Sequence, residues 1–252
     1  MPPTITPRTP PMSTFSEPRH QHGHSIEELF RLAQLSDSAL PVGGFSFSCG
    51  LEAAVAEGMV DDARTLGAYT RAVVRVAAEC DAVAMLHAYR SATEGYLDQL
   101  VVCDKRLASF KLSAEARTMS LRMGGMLTRL LHDMVPDCNV AEVWWQWVNE
   151  GRTVGTYAVA EAVAGVALGL SEEETFAALL YGTASSVLGA ALRCMRLSHI
   201  HTQQIMTKLA PLCGELYNAV RSRTLEEMRS FAPLLDVAAA MHEKGSGRLF
   251  MN

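Results

Sequence analysis

Apolar residues recur every three or four positions along most of this chain, and this spacing constrains the fold more than any other feature. One long stretch places its apolar side chains at Leu66, Tyr69, Val73, Val76, Cys80 and Val83. Residues three and four apart lie on the same side of an α-helix. No segment shows the alternation of apolar and polar residues that is typical of a half-buried strand. The sequence therefore predicts an all-α protein.

Caps and chain breakers set the expected helix boundaries. Ser25 with Glu28, and Ser171 with Glu174, have the spacing of capping boxes, in which each residue bonds the backbone of the other. The sequence predicts a single helical-bundle domain of about ten helices. The first begins after Ser25, and the others are expected over residues 51–57, 62–91, 95–109, 113–134, 140–150, 154–168, 172–197, 202–221 and 224–242.

The composition indicates a folded protein that does not bind nucleic acid. Of the 252 residues, 49% are hydrophobic and 19% are charged, and no cluster of Lys and Arg accompanies the net charge of −5. Residues 1–24 hold six of the ten prolines and are predicted to be a disordered tail. This tail lacks the apolar segment of a signal peptide. The uncharged run from Thr175 to Leu192 is interpreted as a buried helix, so the expected location is the cytoplasm.

Patterns for phosphate binding and catalysis are incomplete. The segment "PVGGFSFSCGLE" is rich in glycine but lacks the lysine of a phosphate-binding loop, and Glu52 at the start of the next helix would repel an anion. The six cysteines are scattered without paired spacing, which indicates free thiols. No serine or cysteine has a recognisable catalytic context. We predict no catalytic residue, no metal site and no cofactor.

Histidines offer the only metal-like pattern, and it is weak. His20, His22 and His24 lie in the proline-rich tail, which is expected to be disordered and not to form a metal site. His199 and His201 form a close pair without a neighbouring carboxylate, and are interpreted as exposed residues at the start of a helix. The folded part has no Glu-x-x-His pair of the kind that holds two metal ions in a helical bundle.

Two segments carry apolar residues where polar ones are usual, and both indicate binding to a partner. The segment from Ser36 to Glu52 interrupts the helices and contains Phe45 and Phe47. The chain end, "GSGRLFMN", places Leu249 and Phe250 after a flexible Gly-Ser-Gly. Apolar residues in such places need cover from another surface.

Gly124 and Gly125 lie inside a predicted helix that also carries Met119, Met123 and Met126 on one face. Each interior glycine lowers helix stability by about 1 kcal/mol relative to alanine. The pair therefore predicts close packing or a bend at this point. The methionine face is interpreted as core, although such faces also bind partners.

Several motifs together resemble a known family. They are "LAQLSDSALPVGGFSFSCGLE", "AEARTMSLRMGGMLTRLL", "GTYAVAEAVAGVALGL", "TASSVLGAALR" and "HEKGSGRLFMN". From about residue 29 to its C-terminal end the sequence resembles the UreF family of urease accessory proteins. The resemblance implies an all-α scaffold without enzymatic activity, commonly a dimer. Such a scaffold would bind the accessory protein UreD (or UreH) and recruit the GTPase UreG, for GTP-dependent nickel delivery to apo-urease.

The resemblance also implies a division of the chain and a set of partner-binding residues. Residues 25–242 would form the UreF-like domain, and residues 243–252 a partner-binding tail. The implied partner-binding residues are Asp37, Pro41, Gly43, Gly44, Phe45, Ser48, Gly50, Glu52, Arg193, Gln203, His242, Glu243, Arg248, Leu249 and Phe250. The chain departs from the family pattern at Phe47, where histidine is usual, and at Cys49, where glycine is frequent.

Two other functions remain open from the residues themselves. One is a helical enzyme that handles a metal or oxygen, which the missing ligand pattern disfavours. The other is a helical metal- or small-molecule-binding protein unrelated to urease, because a methionine-rich core can hold a ligand.

Overall fold

The computed structural model describes residues 24–230, 249 and 250. These residues form ten α-helices and no strand, which confirms the predicted all-α fold. The helices are α1 (Ile26–Ser36), α2 (Leu51–Ala56), α3 (Ala63–Glu79), α4 (Asp81–Glu94), α5 (Asp98–Phe110), α6 (Ala114–Met134), α7 (Asn139–Asn149), α8 (Tyr157–Ala167), α9 (Glu172–Cys194) and α10 (His199–Val220). Apart from His24, the predicted disordered tail lies outside the described residues.

Side-chain caps fix the beginnings of several helices. Both predicted capping boxes form, at the start of α1 with Ser25 and at the start of α9 with Ser171. Asp62 caps α3 in the same way, through the backbone N–H of Thr65. Each cap satisfies N–H groups that have no partner within the helix itself.

α8 lies at the centre of the core. Every residue from Ala158 to Gly165 is buried, and the helix packs against α4, α5, α6, α7 and α9. Small side chains allow these close contacts, since a Cβ atom on Gly165 would overlap the side chain of Thr175 in α9. The run of small and apolar residues in "YAVAEAVAGVA" thus produces a helix that is covered on all sides.

α9 forms the second central element and packs against α1, α2, α3, α4, α8 and α10. By length and composition alone it could cross a membrane, and it is the one helix within residues 24–230 that could. However, 56% of the most apolar 18-residue stretch of this helix is buried inside the protein. Its apolar character therefore serves helix packing, as the sequence indicated.

Two of the predicted helices differ from the structure. The stretch 62–91 is not one helix, because the backbone breaks at Cys80 (φ −119°, ψ −72°) between α3 and α4. The sequence pattern did not reveal this break, because apolar residues continue on both sides of Cys80. In α4 every residue from Ala82 to Leu86 is buried. The stretch 224–242 begins with a 3-10 turn at Leu225–Glu227 instead of an α-helix, and residues 231–242 lie outside the described part of the chain.

One buried carboxylate fixes the turn between α7 and α8. Asp104 of α5 has no exposed surface. It accepts five hydrogen bonds from this turn, at 2.5 to 3.0 Å, from the backbone N–H groups of Val154, Gly155 and Thr156 and from the hydroxyls of Thr153 and Thr156. An ionised carboxylate can accept this many bonds, so the turn is held without regular secondary structure.

The interior glycines of α6 have different surroundings. A Cβ atom on Gly124 would lie 2.7 Å from the carbonyl carbon of Thr156 and 2.8 Å from the backbone nitrogen of Tyr157. A Cβ atom on Gly125 would meet nothing within 4 Å. The predicted close packing is therefore confirmed at Gly124, where α6 touches the turn that Asp104 holds.

All six cysteines are free thiols, in agreement with the sequence. Cys80 and Cys103 are buried, and burial raises the pKa of each thiol to about 12. A thiol with so high a pKa is a poor nucleophile at neutral pH. These two cysteines therefore act as small core residues.

Candidate partner-docking groove

The loop between α1 and α2 follows a path that needs left-handed backbone. Gly43 (φ 81°) precedes a 3-10 turn at Gly44–Ser46, and Cys49 (φ 53°) and Gly50 (φ 76°) lead into α2. The hydroxyl of Tyr69 donates a hydrogen bond to the Cys49 carbonyl at 2.7 Å. Glycine adopts positive φ without a steric penalty, which explains two of the three glycines in this loop.

The two phenylalanines of the loop have opposite environments. Phe47 is only 2% exposed because the protein's own core covers it, whereas Phe45 is 73% exposed. The expectation that an outside surface covers apolar loop residues therefore applies to Phe45 alone. Ser48 and Gly50 are also buried, so that any part they take in docking is indirect.

A groove of about 760 Å³ lies between this loop and helices α9 and α10. Seven of the predicted partner-binding residues line it, namely Asp37, Pro41, Gly43, Gly44, Phe45, Arg193 and Gln203. α9 contributes small residues to the same groove, at Gly182, Ser185, Ser186 and Gly189. Residues that are far apart in the sequence thus surround one concave surface.

Arg193, in the last turn of α9, connects the loop to the end of the chain. Its guanidinium donates a hydrogen bond to the Phe45 carbonyl. The same group lies 5.9 Å from the centre of the Phe45 ring and 4.0 Å from the centre of the Phe250 ring. A cation over an aromatic face is attracted by the ring electrons. Partial burial lowers the pKa of Arg193, although a guanidinium stays charged at neutral pH.

The described end of the chain is seated beside the loop. The backbone N–H of Leu249 donates to Glu52 Oε1 at 2.8 Å, and Phe250 is only 4% exposed. Leu249 itself is 70% exposed. The end of the chain therefore buries one apolar side chain in the protein and presents the next one to solvent.

Gln203, one of these seven residues, is exposed on the α10 side of the groove, in the same turn as Thr202. His242, Glu243 and Arg248 lie outside the described residues. Their assignment to partner binding stays a prediction.

Residues 24–230, 249 and 250 contain no group of three or more His, Cys, Asp and Glu side chains that could hold a metal ion. His199 and His201 are exposed in the first turn of α10, as the sequence indicated. His201 participates in the helix cap, because its Nδ1 lies 3.2 Å from the Ser198 hydroxyl.

The sequence analysis missed Tyr181 of α9, which lines the groove and is 45% exposed. A signal was available, because Tyr181 is the one aromatic residue in the uncharged run that follows Phe176. A tyrosine in an otherwise apolar helix indicates that one side of the helix reaches the surface. Tyr181 adds a third kind of contact to the groove, beside the exposed Phe45 and the small residues of α9.

Comparisons with known proteins show what this chain resembles. The UreF family model matches residues 60–210. Urease accessory protein UreF 2 of Brucella suis is 38% identical over 248 residues, which cover 98% of this chain and 100% of the relative. Urease accessory protein UreF 1 of Brucella melitensis is 39% identical over 228 residues, or 90% of this chain and 94% of the relative.

A more distant relative is urease accessory protein UreF of Yersinia enterocolitica, which is 34% identical over 229 residues, or 90% of this chain and 100% of the relative. The chain belongs to the UreF family. Cys49 stands where the resemblance to this family leads us to expect glycine. Its φ of 53° is a conformation that glycine adopts most easily.

Proposed function

We propose that this UreF-family protein is a urease maturation factor that acts as a scaffold and not as an enzyme. In this proposal it binds the accessory protein UreD (or UreH) and recruits and regulates the GTPase UreG. Together they carry out GTP-dependent nickel delivery to apo-urease in the cytoplasm. The names of the relatives support the role in urease maturation. The observation that carries the docking part is the surface around Arg193, which lines the groove together with the loop and also contacts Phe250 of the chain end.

Phe45 and Leu249 are the proposed anchors for the partner. Both are apolar, both are mostly exposed, and each is held by its backbone: Phe45 through Arg193, and Leu249 through Glu52. Backbone restraint reduces the entropy that is lost when an exposed side chain is fixed by a partner. In many interfaces a few residues carry most of the affinity, and phenylalanine is enriched at interfaces.

The residues next to these anchors extend the proposed surface. Arg248 directly precedes Leu249, and a guanidinium can make a charge-assisted hydrogen bond with a partner's carboxylate. His242 and Glu243 precede it in the same terminal motif. We assign all three to partner binding, with Glu243 and Arg248 in the tail at residues 243–252 and His242 directly before it.

The proposal includes a homodimer, and α1 offers a surface for it. Ile26, Leu29 and Phe30 are 84%, 46% and 74% exposed, and their spacing places them on one side of the helix. A contiguous exposed apolar face favours association. Light scattering should report a dimer for the protein and a monomer for Phe30→Glu.

Co-expression with UreD and UreG, followed by gel filtration, tests the main proposal. The protein should elute in a complex with both partners and should activate urease. Phe45→Ala combined with Leu249→Ala should weaken the complex by roughly tenfold or more, since truncating an anchor costs about 1 to 2 kcal/mol. Tyr96→Ala is the matched control, because Tyr96 is 64% exposed and does not line the groove.

Elution of the wild-type protein apart from both partners would contradict the scaffold role. Full assembly of the double variant would leave the scaffold role intact but would remove the groove from it.

A further inference from the structure

A second cavity, of about 190 Å³, opens between α3, α6, α9 and the α1–α2 loop. Three sulfur-containing side chains line it, Cys49 of the loop and Met119 and Met123 of α6. Thiolate and thioether sulfurs are soft ligands, and they favour monovalent copper over harder metal ions. The sequence did not predict this cluster, because Cys49 lies 70 residues from Met119 along the chain.

The thiol of Cys49 lies against the thioether of Met119. The S–H group donates to Met119 Sδ, and the two sulfur atoms are 3.9 Å apart. A metal–thiolate bond in a protein is about 2.3 Å long, as for zinc, so two sulfur ligands of a three-coordinate ion lie about 4.0 Å apart. The proton of the thiol therefore occupies the place that a metal ion bridging the two sulfurs would take.

Met123 brings a third sulfur to the same cavity. It follows Met119 by four residues, so both side chains lie on one face of α6. Its Sδ would lie 3.7 Å from a Cβ atom built on Gly44, which shows that the thioether already reaches the loop. A methionine side chain is unbranched and adjusts easily, so Sδ can turn towards an ion beside Cys49.

The backbone holds Cys49 in place for this role. Its φ of 53° is unfavourable for a residue with a side chain, and such conformations cluster at functional sites. The hydroxyl of Tyr69 donates to the Cys49 carbonyl at 2.7 Å. The thiol is thus fixed against α6 before any ion arrives.

We propose that Cys49, Met119 and Met123 form a three-coordinate binding site for a soft monovalent metal ion, Cu(I). Cys49 and Met119 are partly exposed, so an ion can reach both sulfurs from solvent. The bound ion joins the α1–α2 loop to α6, because one ligand comes from the loop and two come from the helix.

Charge balance favours a monovalent ion. Burial raises the pKa of the Cys49 thiol to about 12, so the free thiol is neutral. On binding, its S–H bond breaks, the sulfur–copper bond forms, the proton leaves to solvent, and copper stays Cu(I). One thiolate and Cu(I) then make a neutral unit, which apolar surroundings tolerate. Asp81, Lys111 and Glu115 also line the cavity, and none of them belongs to the proposed ligand set.

Anaerobic titration of the purified full-length protein with Cu(I), in competition with the chelator bathocuproine disulfonate, tests the site. The wild type should bind one Cu(I) per chain at this site. Cys49→Ser should weaken that binding roughly a hundredfold or more, and Met119→Leu and Met123→Leu roughly tenfold or more each. Leucine has nearly the volume of methionine, so these two variants should stay folded.

Two matched variants serve as controls. Met126→Leu changes a methionine of the same helix that is 45% exposed and does not line the cavity. Cys213→Ser removes another partly exposed free thiol, outside the cavity. Both should bind Cu(I) like the wild type. Zn²⁺ should bind equally to wild type and Met119→Leu, because a thioether adds little for a harder ion.

The proposal would be overturned if the wild type held no Cu(I) against the chelator, or if Cys49→Ser bound like the wild type. A loss at Met126→Leu or Cys213→Ser as large as at Met119→Leu would overturn the location. Unchanged binding by Met119→Leu or by Met123→Leu would overturn the three-sulfur ligand set. These measurements use the isolated protein and no urease partner, so their failure would leave the proposed role in urease maturation as it stands.

Discussion

Two irregular segments interrupt the helices of this protein, and they are held in opposite ways. The turn at residues 153–156 is fixed from inside by Asp104, which accepts five hydrogen bonds and is fully buried. The loop at residues 37–50 is held by backbone hydrogen bonds from Tyr69 and Arg193 and by the burial of Phe47, while Phe45 stays exposed. The first segment completes the core, and the second keeps a surface available.

The difference has an energetic consequence. Removing the support of a buried segment leaves polar groups without partners and without water, which costs about 1 to 3 kcal/mol for each group. Removing the support of an exposed loop allows water to replace the lost hydrogen bonds, so global stability changes little. The core turn should therefore control folding, and the α1–α2 loop should control binding.

The largest expected effect is that of Asp104→Ala. This change leaves three backbone N–H groups and two hydroxyls of the turn without their acceptor, and we expect a loss of about 5 kcal/mol in the free energy of unfolding, or failure to fold. Denaturant unfolding followed by circular dichroism measures it. Asp98→Ala is the control in the same helix, because the Asp98 side chain is 80% exposed and should matter by less than about 1 kcal/mol. If Asp104→Ala lowered the free energy of unfolding by less than about 1 kcal/mol, the turn would not be more important for stability than the α1–α2 loop.

A smaller effect is expected from the contact between α6 and the same turn. Gly124→Ala would place a Cβ atom 2.7 Å from a backbone carbon of Thr156, and a backbone cannot move aside as a side chain can. We expect a loss of about 3 kcal/mol. Gly125→Ala meets no atom within 4 Å and should raise the free energy of unfolding by up to about 1 kcal/mol. Opposite signs for these neighbouring glycines are the decisive result, and equal effects would contradict the packing at Gly124.

Glu161 of α8 should make stability depend on pH. It is 1% exposed, and burial raises the pKa of its carboxyl group from 4.5 to about 8, partly opposed by a hydrogen bond with Tyr157. Between these two values the folded protein keeps a proton that the unfolded chain has released. The contribution of Glu161 is therefore most favourable below pH 4.5 and is lost as the pH rises towards 8.

The expected loss between pH 5 and 7 is about 2 kcal/mol, and Glu161→Gln should remove it. The measurement is the difference in the free energy of unfolding between variant and wild type at each pH, which cancels the titration of the other groups. That difference should shift in favour of the variant as the pH rises. A difference that is the same at pH 5 and pH 7 would show that Glu161 does not carry a raised pKa.

The sequence predicted the fold better than the site, for a physical reason. Local sequence patterns predict helices, and here these patterns are the spacing of apolar residues and the capping boxes at Ser25 and Ser171. The break at Cys80 and the role of Asp104 depend on contacts between distant segments, which no local pattern contains. The motifs of the UreF family indicated the residues of the groove. However, they could not separate Phe45, which is exposed, from Phe47, which the core covers.

The smallest expected change in stability is that of Arg193→Ala, although this variant should affect binding strongly. Arg193 is exposed, so the loss of its hydrogen bond to Phe45 and of its contact with the Phe250 ring should lower the free energy of unfolding by about 1 kcal/mol or less. Without Arg193, the α1–α2 loop and the end of the chain are less restrained before a partner binds. Affinity for the UreD and UreG partners should fall roughly tenfold or more, because the partner must now order the loop and the chain end.

Two further variants sharpen this result. Arg193→Lys keeps the positive charge but loses the planar guanidinium, which donates a hydrogen bond to Phe45 and lies over the Phe250 ring. This variant should therefore have an affinity between those of Arg193→Ala and wild type. Arg196→Ala is the control, since Arg196 is exposed one turn further along the chain and does not line the groove. Urea unfolding and titrated pull-down are compared for all three variants. If Arg193→Ala lost as much stability as Asp104→Ala, or bound its partners like wild type, the α1–α2 loop would belong to the core and not to a docking surface.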